Sequence, residues 1–407
     1  MTDRPSPWDA AVASAWAAGR ESAPAAVPVA LADADGLVLA EELVARTDLP
    51  AFPTSSVDGW AVRGGGPWTV TGRVLAGEAA PPLTADGTCV EIATGAMVPA
   101  GTSAIVRVEA STRTPDGRVT GEPRPRPEWR KPGEEARAGD VLLPAGTPVN
   151  PGVIGLAASC GYDALAARPR ARAAVLVFGD ELRTTGLPGD GQVRDALGPS
   201  LPGWLRRLGA TVDTPPAGPV EDTLPAHVAA ISAAVARGAD LICTTGGTMR
   251  GPVDHLHPAL AELGASYVVD TVAVRPGYPM LLATLRGPGD RRVLLAGLPG
   301  NPQSAVIALV TLVGPALAGW SGRPAPRTAD LPRVRLAAPV PGRGGDTHLA
   351  LVRRGPDGVH PVPHAGSAML RGLAGAIGFA VIAPGGAGAP GDEVPLVPLP
   401  LLPGEAP

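Results

Sequence analysis

The chain has 407 residues, 45% of them apolar and 18% charged, with a formal net charge of −4. That length suggests two to four domains with ample material for buried cores. The slight acidic excess and the lack of a Lys/Arg-rich arm argue against a nucleic-acid partner, and the apolar stretches are too short or too interrupted for a membrane span.

In chain order, residues 7–48 read as a helix followed by a strand. The run WDAAVASAWAAG (8–19) is too short and broken for a secretory core, so a cytoplasmic protein is expected. Residues 61–150 show short runs of period-two alternation between Gly/Pro turns, a β-rich pattern. Within them, 112–136 is polar and Pro-rich and reads as an exposed loop. Residues 151–166 read as a short helix returning to the first segment. Beyond Arg168, strand-like runs at 172–178, 210–213, 239–244, 266–274 and 292–296 alternate with helical runs near 199–208, 222–237, 254–263 and 302–318. Such alternation implies parallel strands with crossover helices. From about 330 the short β-runs return, as a small terminal β domain. The stretch 304–320 is read as a buried helix.

The 54 glycines and 49 prolines make up about a quarter of the chain, but apolar runs such as ARAAVLVFG (171–179) break them up, so they read as turns and caps rather than disorder. Cys89, Cys160 and Cys243 are widely spaced and form no CxxC pair, which fits a reducing compartment. Lys131 is the single lysine among 34 basic residues, and arginine stays protonated, so no lysine nucleophile is expected.

Three turns carry the chemistry, because ligands of a parallel α/β sheet bind beyond the C-terminal strand ends, where helix N-termini present free N–H groups. In VLVFGDEL (175–182), Gly179 turns the chain and Asp180 and Glu181 follow; the pair either caps a helix or holds Mg2+ or a ligand. In DLICTTGGTMRGPVDHL (240–256), Thr244, Thr245, Gly246 and Gly247 let backbone amides approach an anion, and Asp254 opens a helix. In VLLAGLPGNPQSAV (293–306), Gly297 and Gly300 permit the turn, Asn301 suits the N-cap and Pro302 the first helical position. His255 and His257, at i and i+2, point apart and are not expected to share a metal.

Together these turns resemble the molybdopterin molybdenumtransferase family (MoeA and the E domain of gephyrin). GLPGNPQSA (297–305) is similar to that family's GLPGNPVSA. SSVDGWAVR (55–63), IATGAMVPAGTSAIVRVE (92–109) and PGEEARAGDVLLPAGT (132–147) match further family segments in the same order. The resemblance implies a multi-domain α+β and α/β fold: an elongated discontinuous domain (7–48 and 140–168), a β-rich inserted domain (49–139), a parallel-sheet α/β molybdopterin-binding domain (169–328) and a C-terminal β domain (329–407). It implies a homodimer with the site shared between copies, and insertion of molybdate, as substrate, into adenylylated molybdopterin with Mg2+-dependent release of AMP. An upstream molybdopterin adenylyltransferase would supply the intermediate.

Carried over by residue, the resemblance assigns Asp58, Thr94, Glu135, Asp222 and Arg275 to catalysis. It assigns Glu181, Thr245, Gly246, Gly247, Pro299, Gly300, Asn301 and Pro302 to the pterin-nucleotide. Glu181, Asp222 and Asp254 would hold Mg2+. The sequence departs from the family at Phe178, where a hydroxyl residue is usual, at Ala196, Leu197 and Gly198, at Met249 in place of serine, and at Tyr278. These departures leave open a diverged non-catalytic paralogue, or a scaffold, that binds a molybdopterin-like or nucleotide ligand.

Overall fold

Ala173–Phe178 (β1) is six consecutive buried residues, the unbroken apolar run of a strand covered on both faces. The computed structural model describes residues 4–402 except 213, 252 and 253. In it, β1 lies in a six-stranded sheet with Ala217–Val220 (β2), Leu241–Thr245 (β3), Ser266–Val269 (β4), Leu281–Arg286 (β5) and Arg292–Leu298 (β6), in the order β2-β1-β3-β6-β5-β4. The strands β2, β1, β3 and β6 run parallel; β5 returns antiparallel beside β6 and pairs antiparallel with β4.

Five helices cover the sheet: Trp8–Ser22 (α1), Leu197–Arg207 (α2), Leu224–Ala236 (α3), Leu256–Glu262 (α4) and Pro302–Ser321 (α5). Alternate residues of β1 serve opposite cores. Val175 and Val177 pack with Leu201, Leu205, Ile307 and Leu312, whereas Leu176 and Phe178 pack with Ile231, Leu256 and Leu260. The helix α5 is long and apolar enough to cross a membrane, but 78% of its apolar window is buried in this core. It crosses α1 at two glycines: a Cβ on Gly19 would sit 1.9 Å from the Ala316 carbonyl oxygen, and one on Gly319 2.0 Å from that of Trp16.

The contacts divide the chain into two units. One takes the N-terminal segment to Val27, Gly36–Ala40 and the chain from Ala166 onward; the other takes Pro28–Asp35 and Glu41–Leu165. The first unit also holds a C-terminal sheet in which Val274–Arg275 pairs parallel with Thr347–Gly355, followed by Gly378–Ile382, Glu393–Pro398 and Arg333–Arg335. The second unit is built on a four-stranded sheet of Thr69–Val74, Thr88–Ile92, Gly59–Arg63 and Ala104–Arg107. Its helix Pro151–Ser159 is capped by Asn150, whose Oδ1 accepts the Val153 amide at 3.0 Å.

Four expectations need correction. The strand expected at 210–213 is only a bridge from Thr211 to Arg172, and residue 213 lies outside the described residues. The edge strand forms instead at AGPV, where Gly218, at φ +131°, packs so closely on the Val177 carbonyl that a Cβ would approach it to 2.3 Å. The run 266–274 splits, its end joining the C-terminal sheet, and β5 was not anticipated, since an antiparallel return breaks the strand–helix alternation. The loop 112–136 contains a hairpin, Ser111–Arg113 against Val119–Gly121, and Trp129–Arg130 pairs with Thr54–Ser55. Residues 403–407, the end of the expected C-terminal domain, lie outside the described residues.

Candidate functional site

The C-terminal ends of β1, β3 and β6 converge on one cavity of about 620 Å3. At the end of β3, Gly246 (φ +80°) and Gly247 (φ +65°) adopt left-handed conformations that a side chain would strain. The Gly246 amide donates to the Leu298 carbonyl at 2.9 Å, and a Cβ on Gly300 would lie 3.6 Å from Gly246 Cα. The two Gly-rich turns are thus held side by side. The hydroxyls of Thr244 and Thr245 are buried and have no hydrogen-bond partner among the described residues. Buried polar atoms are normally satisfied, so the Thr245 hydroxyl, on the cavity wall, is available to a ligand.

Most of the sequence-selected residues are brought together here. Glu181, Thr245, Gly246, Gly247, Asp254, Pro299, Gly300, Asn301 and Pro302 all line this cavity. Asp254 does not open α4, which begins at Leu256. Its Oδ2 accepts the Gly251 amide at 2.8 Å and so shapes the turn before the helix. Asn301 stands at the N-cap position without capping; its Nδ2 donates to Ser367 Oγ at 3.4 Å. No helix follows Gly179, so Asp180 and Glu181 are not caps: the chain continues into Leu182–Arg183, which pairs with Val193–Arg194.

Asp222 does not line the cavity. It is locked to Asp180 by reciprocal bonds, each backbone amide donating to the other carboxylate at 3.2 Å. Among the described residues no group of three or more His, Cys, Asp or Glu side chains is placed to hold a metal. Glu181, Asp222 and Asp254 therefore form no preassembled cage. His257 turns away, its Nδ1 2.7 Å from the Tyr267 hydroxyl and its Nε2 3.3 Å from the Thr248 carbonyl, which ties α4 to the cradle.

The departures acquire physical reasons. Asp195 is buried and its Oδ1 accepts the Leu197 and Gly198 amides at 3.0 and 2.9 Å, so it caps α2. A Cβ on Gly198 would meet Asp195 Oδ2 at 2.1 Å, so any side chain there would displace the capping carboxylate. Phe178 stacks on His227 with ring centroids 3.8 Å apart, and Met249 is exposed at the cavity rim.

Arg275 lines an adjoining cavity of about 380 Å3, which shares Pro279 and Asn301 with the first. Its Nε donates to Asp346 Oδ2 at 2.7 Å, and its guanidinium lies over the Tyr278 ring. Sequence reasoning missed Arg343, His348 and Ser367 on the same wall. The Gly-rich stretches PGRGGD (341–346) and HAGSAM (364–369) were the available signal, but nothing local ties them to Arg275. His348 Nδ1 donates to the Pro341 carbonyl at 2.7 Å, and burial pushes its pKa below the ordinary histidine value.

In the second unit, Asp58 and Thr94 meet: the Thr94 amide donates to Asp58 Oδ1 at 2.6 Å. That backbone bond, then the Thr94 hydroxyl, holds the Asp58 carboxyl below the usual aspartate range. Glu135 is exposed, with its amide bonded to the Leu49 carbonyl at 2.9 Å. The depressed pKa means that the charged turn is favoured above the ordinary aspartate value of about 3.9, and that this contribution fades as pH falls through the lower folded value. In Thr94→Val the Asp58 pKa, followed by NMR titration, should rise only part of the way back, since the amide remains. An ordinary value in the parent protein would contradict this geometry.

Three family models match in order: the MoeA N-terminal region (domain I and II) over 7–161, the "Probable molybdopterin binding domain" over 174–319, and the MoeA C-terminal region (domain IV) over 333–399. Molybdopterin molybdenumtransferase 2 of Mycobacterium tuberculosis is 34% identical over 336 residues, 78% of this chain and 81% of the relative. The chain belongs to the molybdopterin molybdenumtransferase (MoeA) family of molybdenum cofactor biosynthesis. The family enzyme of Staphylococcus aureus is 30% identical over 315 residues, covering 74% of this chain and 73% of that one. The MoeA fold is also that of a solved protein from Pyrococcus horikoshii, with a TM-score of 0.77 over 98% of this chain and 100% of that one at 23% identity.

Proposed function

We propose that the chain is an active molybdopterin molybdenumtransferase, inserting molybdate into adenylylated molybdopterin with Mg2+-dependent release of AMP. The observation that carries this reading is the pair of adjoining cavities sharing Pro279 and Asn301. One is walled by amide-rich turns and the free Thr245 hydroxyl, suited to a pyrophosphate; the other has two arginines, Arg275 and Arg343, suited to a tetrahedral dianion. Holding both substrates at one shared wall turns a bimolecular encounter into a positioned one.

The donor set fits Mg2+ that arrives largely hydrated with substrate phosphate. Such an ion needs only one or two carboxylates; Glu181 and Asp254 line the cavity, and Asp222, outside that lining, is the third candidate. Bound there, the ion would neutralise charge on the phosphates as AMP leaves. The chain's own part is positioning: the turns at 245–247 and 299–301 orient the nucleotide, and Arg275 and Arg343 hold molybdate.

In this reading Asp58, Thr94 and Glu135 complete the site from a second copy in a homodimer, and a molybdopterin adenylyltransferase delivers the intermediate in the cytoplasm. The domains are proposed to be 7–48 with 140–168, 49–139, 169–328 and 329–407. The apolar Phe178 and the exposed Met249 favour a second reading, a paralogue that binds the same ligand without inserting metal.

The test is to incubate the protein with adenylylated molybdopterin, molybdate and Mg2+ and to measure AMP. Release supports insertion; tight binding without release supports the paralogue; neither would leave a scaffold. Asp254→Asn keeps the acceptor for the Gly251 amide but removes the charge. It should weaken the Mg2+ dependence about tenfold or more, and an unchanged Mg2+ titration removes Asp254 from the metal.

A further inference from the structure

His227 lies in the first turn of α3, and its side chain is 1% exposed. Neither ring nitrogen has a hydrogen-bond partner among the described residues. Leaving polar nitrogens buried and unpaired is costly, so such a residue calls for an explanation. On one side its ring stacks on Phe178, which lines the main cavity, at 3.8 Å and 18° between planes. A Cβ on Gly247 would come within 4.0 Å of its Cε1, so it also backs the Gly-rich turn. On the other side its Nε2 lies 3.6 Å from Asp222 Oδ1, too long for a hydrogen bond. The His255 ring approaches edge-on at 5.8 Å.

The other oxygen of the same carboxylate, Oδ2, is already engaged by the Asp180 amide at 3.2 Å. Asp222 is therefore pinned at one oxygen, while Oδ1 faces an imidazole that a shift of well under 1 Å would bring into bonding range. Catalytic hydrogen bonds are commonly long before substrate binds and tighten in the complex. An imidazole with its proton on Nε2 presents that N–H as the donor and the carboxylate Oδ1 as the acceptor.

We infer that His227 is a positioning residue: its Nε2–H closes on Asp222 Oδ1 when ligand fills the cavity, aiming that carboxylate at the Mg2+ and coupling it, through the Phe178 stack, to the cavity wall. This rests on the assignment of Asp222 to the metal. Phe178 then acts as a packed lever on His227 rather than as a lost hydroxyl. Outer partners of this kind orient carboxylates and imidazoles at metal sites.

The experiment uses the full chain and Mn2+ as the probe, with AMP present and free Mn2+ followed by electron paramagnetic resonance. His227→Phe keeps the stack and removes the donor; His227→Gln restores a donor near the ε position; His227→Asn places one near the δ position instead. Mn2+ affinity should fall roughly 10- to 100-fold in His227→Phe and His227→Asn and stay near parental in His227→Gln. With substrate, kcat should fall while KM for adenylylated molybdopterin holds. If His227→Phe fails to fold, the Gln and Asn pair still decides, and equal Mn2+ affinities in those two overturn the inference. Parental affinity in a folded His227→Phe, alongside loss in Asp222→Asn, overturns it while leaving the metal site standing. No Mn2+ binding by the parent protein, or none lost in Asp222→Asn, sinks the metal assignment itself.

Discussion

Asp222→Asn is expected to lower AMP release from adenylylated molybdopterin roughly 10²- to 10³-fold, several kcal/mol of transition-state stabilisation, with little change in melting temperature. The substitution is nearly isosteric. The amide oxygen of asparagine can still accept the Asp180 N–H, and the Asp222 amide still donates to Asp180, so the local fold is retained. What disappears is one negative charge at the ends of β1 and β2, with the oxygen that His227 faces. A metal held by only one or two carboxylates loses much of its protein-supplied binding when one is neutralised. The measurement is kcat/KM across a Mg2+ titration. A curve that overlays the parent's would mean that Asp222 only locks the β1 and β2 ends together.

Gly319→Ala is expected to cost about 3 kcal/mol through overpacking at a helix crossing. The added Cβ would fall 2.0 Å from the Trp16 carbonyl oxygen, and the mirror position, Gly19, 1.9 Å from that of Ala316. Both obstacles are backbone atoms of the opposing helix, so no rotamer change relieves them; α1 and α5 must separate. Separation opens contacts at Ala11, Ala15, Val313 and Ala316, all buried in the larger core. Alanine gains about 1 kcal/mol of helix propensity over glycine, which offsets only part of the overpacking. Gly203→Ala on α2 is the control, because its Cβ enters open space and propensity alone should make it neutral or slightly stabilising. Thermal melting should place Gly319→Ala roughly 6–12 °C below the parent. The double variant with Gly19→Ala should be less than additive, since helices already parted lose less at the second site. A melting temperature at or above the parent's would show that the helices do not meet at these glycines.

Much of the architecture was legible because the signals are local. The buried run at 173–178, the Gly-Gly turn after β3 and the PGNP turn after β6 are each specified by a few neighbouring residues, and the structure forms each of them, with Gly297 inside β6 rather than in the turn. The edge strand was misplaced because AGPV carries Pro and Gly, which oppose a strand by propensity; pairing with β1 overrides that. In the cavity, nine of the selected residues share one wall because they lie on turns at the same end of one sheet, a consequence of parallel topology.

By itself the sequence determined the family, the strand–helix alternation and the turns that build the cradle, since all of these depend on residue types at short spacing. The tertiary structure alone decided what stands behind the cradle. Nothing local to His227 predicts that it stacks on Phe178, 49 positions earlier, and faces Asp222. Nor does any local feature bring Arg343 to Arg275, or Gly19 against α5. Such contacts join residues far apart in the chain, and burial and close packing select among the many partners that composition would allow. The Gly-rich turns therefore announce a ligand site in the sequence, whereas the groups that aim its carboxylates are chosen only when the sheet and its helices close.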